Sequence, residues 1–181
     1  MDLRLGVLES MPALSRPDLL AEPVVAALAS WPEERAGQVA VAEIDPDLAD
    51  TAAFCERYEV ALAESANCVV VEGRRAGEST LAACVVLATT RADVNGVVRR
   101  HLGARKASFA AMDTAVAATG MEYGGITPIG LPEGWPLLVD QAVVAAGPVV
   151  IGSGVRRSKV IMPGALLASL PGAVVLAGLA V

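Results

Sequence analysis

The apolar residues of this chain fall into short runs whose period changes repeatedly between that of a strand and that of a helix. "QVAVAEI", residues 38–44, alternates in the manner of a strand with one face buried. "NCVVVEG" (67–73) and "STLAACVVLAT" (79–89) are β-branched runs separated only by a charged, glycine-bearing segment, which predicts two adjacent antiparallel strands. "WPLLVD" (135–140), "GPVVIGSG" (147–154) and "RRSKVIM" (156–162) predict three further strands. Helical spacing appears in between. "RPDLLAEPVVAALASW" (16–31) predicts a helical arm kinked or broken near Pro23, and "DPDLADTAAFCERYEVAL" (45–62) an amphipathic helix with acids at its start. Shorter helices are expected in "ADVNGVVRRHLG", ended by Gly103, and in "SFAAMDTAVAATG". From Pro163 to Val181 no residue is charged, a length that could span a bilayer. Pro171-Gly172 divides it, so the pattern predicts a short helix, "PGALLASL", followed by a buried terminal strand, "AVVLAGLAV".

Consecutive strands with short helices between them do not make the strict βαβ alternation of a doubly wound fold. They predict a compact mixed α+β domain with a largely antiparallel, partly closed sheet. The chain has 181 residues, a length that favours one domain, and 54% of them are hydrophobic while only 3% are aromatic. The core must therefore be built of closely packed Ala, Val and Leu. Cys55, Cys68 and Cys84 match neither a zinc pattern nor a secreted disulfide framework, and "MDLRLGVLES" does not read as a signal peptide. Both point to a reducing cytoplasm. The net charge of −6 is unevenly placed: residues 1–66 carry net −9 and residues 67–181 net +3. An anionic ligand is expected to meet the C-terminal two-thirds.

His101 is the only histidine, which removes two-histidine metal sites, and beside Arg99 and Arg100 it suits a helix C-terminus. "GSGVRR" at 152–157 begins like a dinucleotide fingerprint but has Arg157 where the third glycine belongs. Ser153 lies between two glycines without the G-x-S-x-G elbow, so a serine nucleophile is not expected. Arg156, Arg157 and Lys159, with Arg74 and Lys106, are candidates for phosphate contacts; on a strand Arg157 and Lys159 would share a face. The segment "GMEYGGITPIGLPEGWPLLVD" (120–140) holds five glycines and three prolines. Its "GGITP" can present successive backbone N–H groups to a carbonyl oxygen or oxyanion, or can simply connect two elements.

The order "TGMEYGGITPIGLP", "PLLVD", "VVIGSGVRRSKVIMPGALLASLPGAVV" resembles the YbaK/EbsC-like family of aminoacyl-tRNA editing domains, most closely from Thr119 to Val175. With the upstream strands the resemblance covers residues 39–181 and leaves residues 1–38 as an N-terminal helical extension. It implies a curved, barrel-like sheet and a stand-alone trans-editing activity that hydrolyses the ester of misacylated tRNA. It implies no metal or organic cofactor, no membrane, tRNA as the partner through its aminoacylated 3′ end, and association with a synthetase. The loop Gly124, Gly125, Ile126, Thr127, Pro128 matches the family's G-x-x-x-P segment, whose amides position the ester carbonyl. Asp140, Gly152, Ser153 and Gly154 match its substrate-binding positions. Where the family carries a lysine at the start of the strand "NCVVV", this chain has Asn67. The alternative is accordingly a non-catalytic relative that binds an aminoacyl-tRNA end, a small ligand or a protein.

Overall fold

The structure is a computed structural model describing residues 3–181; Met1 and Asp2, the start of the opening stretch read above, lie outside the described residues. The chain begins with β1 (Ser10–Pro12), α1 (Glu22–Ala29), α2 (Glu33–Ala36), β2 (Ala40–Glu43) and α3 (Thr51–Tyr58). The long hairpin β3 (Ala66–Arg75) and β4 (Glu78–Leu87) follows, then a π-helical turn (Val94–Val98) running into α4 (Arg99–His101), β5 (Lys106–Phe109) and α5 (Met112–Thr119). β6 (Leu137–Asp140), α6 (Gln141–Ala145), β7 (Pro148–Gly152), β8 (Ser158–Pro163), α7 (Gly164–Leu167) and β9 (Ala173–Leu176) complete it.

The strands form two sheets, ordered β1-β2-β8-β7 and β5-β3-β4-β6-β9. The mixed α+β class is as expected. Closure is not: each sheet keeps two open edges, and Ser65 bridging Val150 is the point at which the first residues of the hairpin touch β7. Beyond that bridge the sheets diverge, as twisted sheets do. Most pairings are antiparallel, but β6 lies parallel to both β4 and β9. The hairpin turns tightly at Ala76 and Gly77, both with positive φ (52° and 85°), the backbone that fits a two-residue loop to the strand twist.

Alternation along the strands sorts the apolar residues into three layers. Val41, Val85, Leu137, Val139, Ile151, Val160 and Met162 meet between the sheets together with Leu19, Val24 and Leu28. Ala42, Val150 and Ile161 face outward from the first sheet onto Phe54 of α3 and onto Leu3, Leu5 and Leu8. Val71, Cys84, Val86 and Leu138 face outward from the second sheet onto Val94, Val98 and Leu179. The segment up to residue 38 thus supplies an edge strand and side chains to two of these layers. Pro23 does not kink a helix: it occupies the first turn of α1, where its missing N–H is harmless. β9 differs from its expectation as well. It pairs only with β6, at the sheet's edge, and leaves Val174 and Val175 39% and 40% exposed. No helix among the described residues is long and apolar enough to cross a membrane.

Candidate functional site

A cleft of about 340 Å³ opens where the two sheets separate. Between the Ser65–Val150 bridge and the start of β5 pairing at Val71, the edge of β3 has no strand beside it. Asn67, Cys68 and Val70 line the cleft there; Val150, Ile151 and Gly152 of β7 and Lys159 of β8 form the facing wall. Gly124 and Ile126 close one end, Asp50 and Thr51 at the start of α3 another. Among the lining residues Lys159 is the only cation.

Asn67 and Lys159 each hold a polar group in the cleft through a separate hydrogen bond. The Thr51 hydroxyl donates to Asn67 Oδ1 at 2.7 Å, which leaves the amide's NH2, a double donor, for another partner. Lys159 Nζ donates to the Ala49 carbonyl at 2.9 Å and lies 5.1 Å from the Phe54 ring centre. Burial lowers the Lys159 pKa; Arg156 adds to the lowering, while Cys55 and Asp50 oppose it. The Cys68 thiol is pushed up, first by burial and then by Cys84, so it remains protonated.

The 120–128 loop is shaped by contact with the turn after β7. Gly125 N–H donates to the Glu122 carbonyl (2.9 Å), Gly154 N–H to that of Gly125 (2.7 Å), and Glu122 N–H to that of Gly154 (2.8 Å). The approach is so close that a Cβ on Gly152 would stand 2.4 Å from the Gly125 oxygen. Gly124 has φ +84°, and a Cβ there would stand 2.3 Å from Arg156 Nη1. Arg156 straps the cleft's outer side. Its guanidinium bonds to the Pro46 carbonyl at 3.1 Å and the Tyr123 carbonyl at 3.4 Å, and pairs with Asp50 at 3.7 Å. The expected run of donors is therefore shortened, because the Gly125 N–H is already engaged inside the loop.

The structure brings together only part of the residues singled out in the sequence. Gly124, Ile126, Asn67, Gly152 and Lys159 meet in the cleft. Asp140 does not: it is buried, its Oδ1 accepts from Ala142 N–H (2.8 Å) and its Oδ2 from Ala180 N–H (3.0 Å). Ser153, just past the end of β7, is fully buried with its hydroxyl within hydrogen-bonding distance of the Val155 and Ser158 carbonyls (3.0 and 3.1 Å), and Gly154 packs on Ala21 of the N-terminal segment. Thr127 is fully buried, and its hydroxyl has no hydrogen-bond partner among the described residues. Pro128 lies outside the lining. Arg157 bonds to the Asp18 carbonyl, and Arg74 and Lys106 border a separate shallow groove. Thr51 was not anticipated; its helix is visible in the sequence, but its approach to Asn67 is a tertiary contact. No group of three or more His, Cys, Asp or Glu able to hold a metal occurs among the described residues.

Comparison with known proteins agrees with this architecture. No curated protein matches the sequence. Among solved structures, the fold is similar to a protein described as a candidate trans-editing enzyme for prolyl tRNA synthetase (21% identity, 86% of this chain and 93% of that one, TM-score 0.70). It is also similar to a hypothetical protein (22% identity, 83% and 97%, TM-score 0.71) and to a scaffold used for grafting linear epitopes (22%, 86% and 93%, TM-score 0.69). The model of the aminoacyl-tRNA editing domain matches residues 45–170, a span that contains β2's exit, the whole cleft and both of its walls. The chain belongs to the aminoacyl-tRNA editing domain family.

Proposed function

We propose that this protein is a stand-alone deacylase that hydrolyses the ester of mischarged tRNA, with the terminal aminoacylated nucleotide seated in the cleft. The observation that carries this reading is the convergence of Gly124, Gly152, Asn67 and Lys159 on one cleft of about 340 Å³. That volume is at the small end for ligand sites and suits a small amino acid with part of its ribose. Ile126, Val150 and Ile151 supply the apolar wall for the amino-acid side chain. The Asn67 amide and the Lys159 ammonium can donate to the ester or to the neighbouring phosphate. Lys159 thereby offers the charge that Asn67 lacks, and charge-assisted hydrogen bonds are roughly twice as strong as neutral ones. Water attacks the ester carbonyl, the carbonyl–O bond to the ribose breaks, and the ribose hydroxyl leaves with a proton derived from the water, while the loop at Gly124 fixes the acyl group. The solved neighbour named for prolyl tRNA synthetase makes alanyl and prolyl esters the first substrates to try, and a synthetase the first partner to test.

The second reading, a binding protein without turnover, draws on Asn67 and on the Gly125 N–H already bonded to Glu122. One experiment separates the two: a panel of mischarged tRNAs is incubated with the native protein, Gly124→Ala and Asn67→Lys, with circular dichroism confirming that each is folded. Native hydrolysis that drops at least about tenfold in Gly124→Ala is the expected outcome. An inert native protein whose Asn67→Lys variant hydrolyses the esters would establish the binding reading instead.

A further inference from the structure

The rim of the cleft has a composition that folding does not account for. The chain contains six aromatic side chains, two each of Phe, Tyr and Trp, in a sequence short of bulky core material. Two of them, Phe109 and Tyr123, line the cleft while standing 60% and 59% exposed, and Met112, also a lining residue, is 52% exposed. Burying such a side chain would contribute about 1.5–3 kcal/mol, so the fold forgoes that stabilisation three times at one opening. The two rings come from different elements, the last residue of β5 and the loop entering Gly124.

A second observation is electrostatic. Lys106 of β5 stands directly opposite Arg74 of β3, a like-charge pairing that a sheet disfavours. Arg75 and Arg105 border the shallow groove there and Arg99 borders an adjoining one; of the two acids, Glu72 and Glu78, Glu72 is bonded to Arg74 at 2.7 Å, which leaves the basic side chains in excess. Arg74 shares the pleat face of β3 with Cys68 and Val70, which line the cleft. Lys106 to Phe109 is three steps of extended strand, roughly 10 Å, an odd count that turns the two side chains to opposite faces of β5. The basic groove and the aromatic-rimmed mouth therefore meet around the end of this edge strand.

Stacking faces beside a positively charged track are the two ingredients of single-stranded nucleic-acid sites. The geometry points to Phe109 and Tyr123 as platforms for the unpaired bases at a tRNA 3′ end, with Arg74, Arg105 and Lys106 holding the phosphates behind them. This rests on the cleft being the seat of the terminal aminoacylated nucleotide, and it adds a register: acyl group inside, adjacent bases on the rings, backbone along β5.

The test is a fluorescence-anisotropy titration of an uncharged RNA hairpin carrying the tRNA 3′ tail, alongside the same hairpin with abasic sites just before its terminal nucleotide. Phe109→Ala and Tyr123→Ala are each expected to weaken the intact hairpin about tenfold and the abasic one by less than about twofold, while Phe109→Trp keeps native affinity. Lys106→Ala is expected to lower the slope of log affinity against log salt by about one on either hairpin. Equal losses on the intact and abasic hairpins would overturn the stacking role and leave the deacylase reading standing. Failure of the native protein to bind the hairpin at all would overturn both.

Discussion

At the level of single residues, the cleft is governed by Lys159 and Asn67, one from each sheet. Lys159 is held beneath the cleft by the Ala49 carbonyl, and burial depresses its pKa below the ordinary 10.5. Folding that depresses a lysine leaves the unfolded chain binding more protons in the window between the lowered value and 10.5, so its contribution to stability rises with pH across that window. The charge needed for an anionic ligand is lost over the same window. Hydrolysis is therefore expected to fall on the alkaline side at a pH below that of an exposed lysine. Lys159→Arg, which stays charged, is expected to remove that fall in a kcat/KM profile. Both residues could be singled out in the sequence, Lys159 as a cation on a predicted strand and Asn67 as a departure from a pattern. Their meeting could not, because it depends on β3 and β8 being in different sheets whose edges diverge.

At the level of elements, the two turns that shape the site are fixed by backbone contacts that exclude side chains. Gly152 is required because the Gly125 oxygen occupies the place of its Cβ, whereas Ser153, the residue just past the end of β7, is buried with its hydroxyl against Ser158. The sequence shows both as a small-residue turn; only their tertiary contacts separate their roles. Asp140 illustrates the same limit. It was legible as the polar end of a strand, and the structure uses it to cap α6 and to hold the segment at Ala180. Asp140→Ala removes a cap, worth about 1 kcal/mol, and takes the charged acceptor from the half-buried Ala180 N–H, worth about 1–3 kcal/mol more. Urea denaturation is expected to show a total loss of about 2–4 kcal/mol, with Asp140→Asn retaining part of it.

At the level of the whole molecule, three apolar layers enclose the two sheets, and the thiols report how tightly they close. Cys84 is fully buried in the layer outside the second sheet, and burial pushes its thiol up to about 12; burial raises Cys55 and Cys68 as well. At pH 8 Cys55 and Cys84 of the native protein are expected to resist a thiol reagent over hours, and all three thiols to titrate at once in denaturant; rapid labelling of Cys84 in the native state would show a loosely closed layer. What the sequence determined by itself was local: the period of each run, the tight turn of the β3–β4 hairpin, the proline and glycine that start and end helices, and the glycines that permit the loop at 124 to lie against the turn at 152. These follow from steric and hydrogen-bonding preferences within a few residues. What only the tertiary structure decided was pairing and proximity over long distances: β6 inserted parallel between β4 and β9, the open edge of β3, the N-terminal segment packed behind Gly154, and Lys159 facing the cleft that Asn67 enters from the other sheet. A local pattern says which face of a strand is apolar but not which surface will cover it, because that choice is made by the joint packing of all three layers.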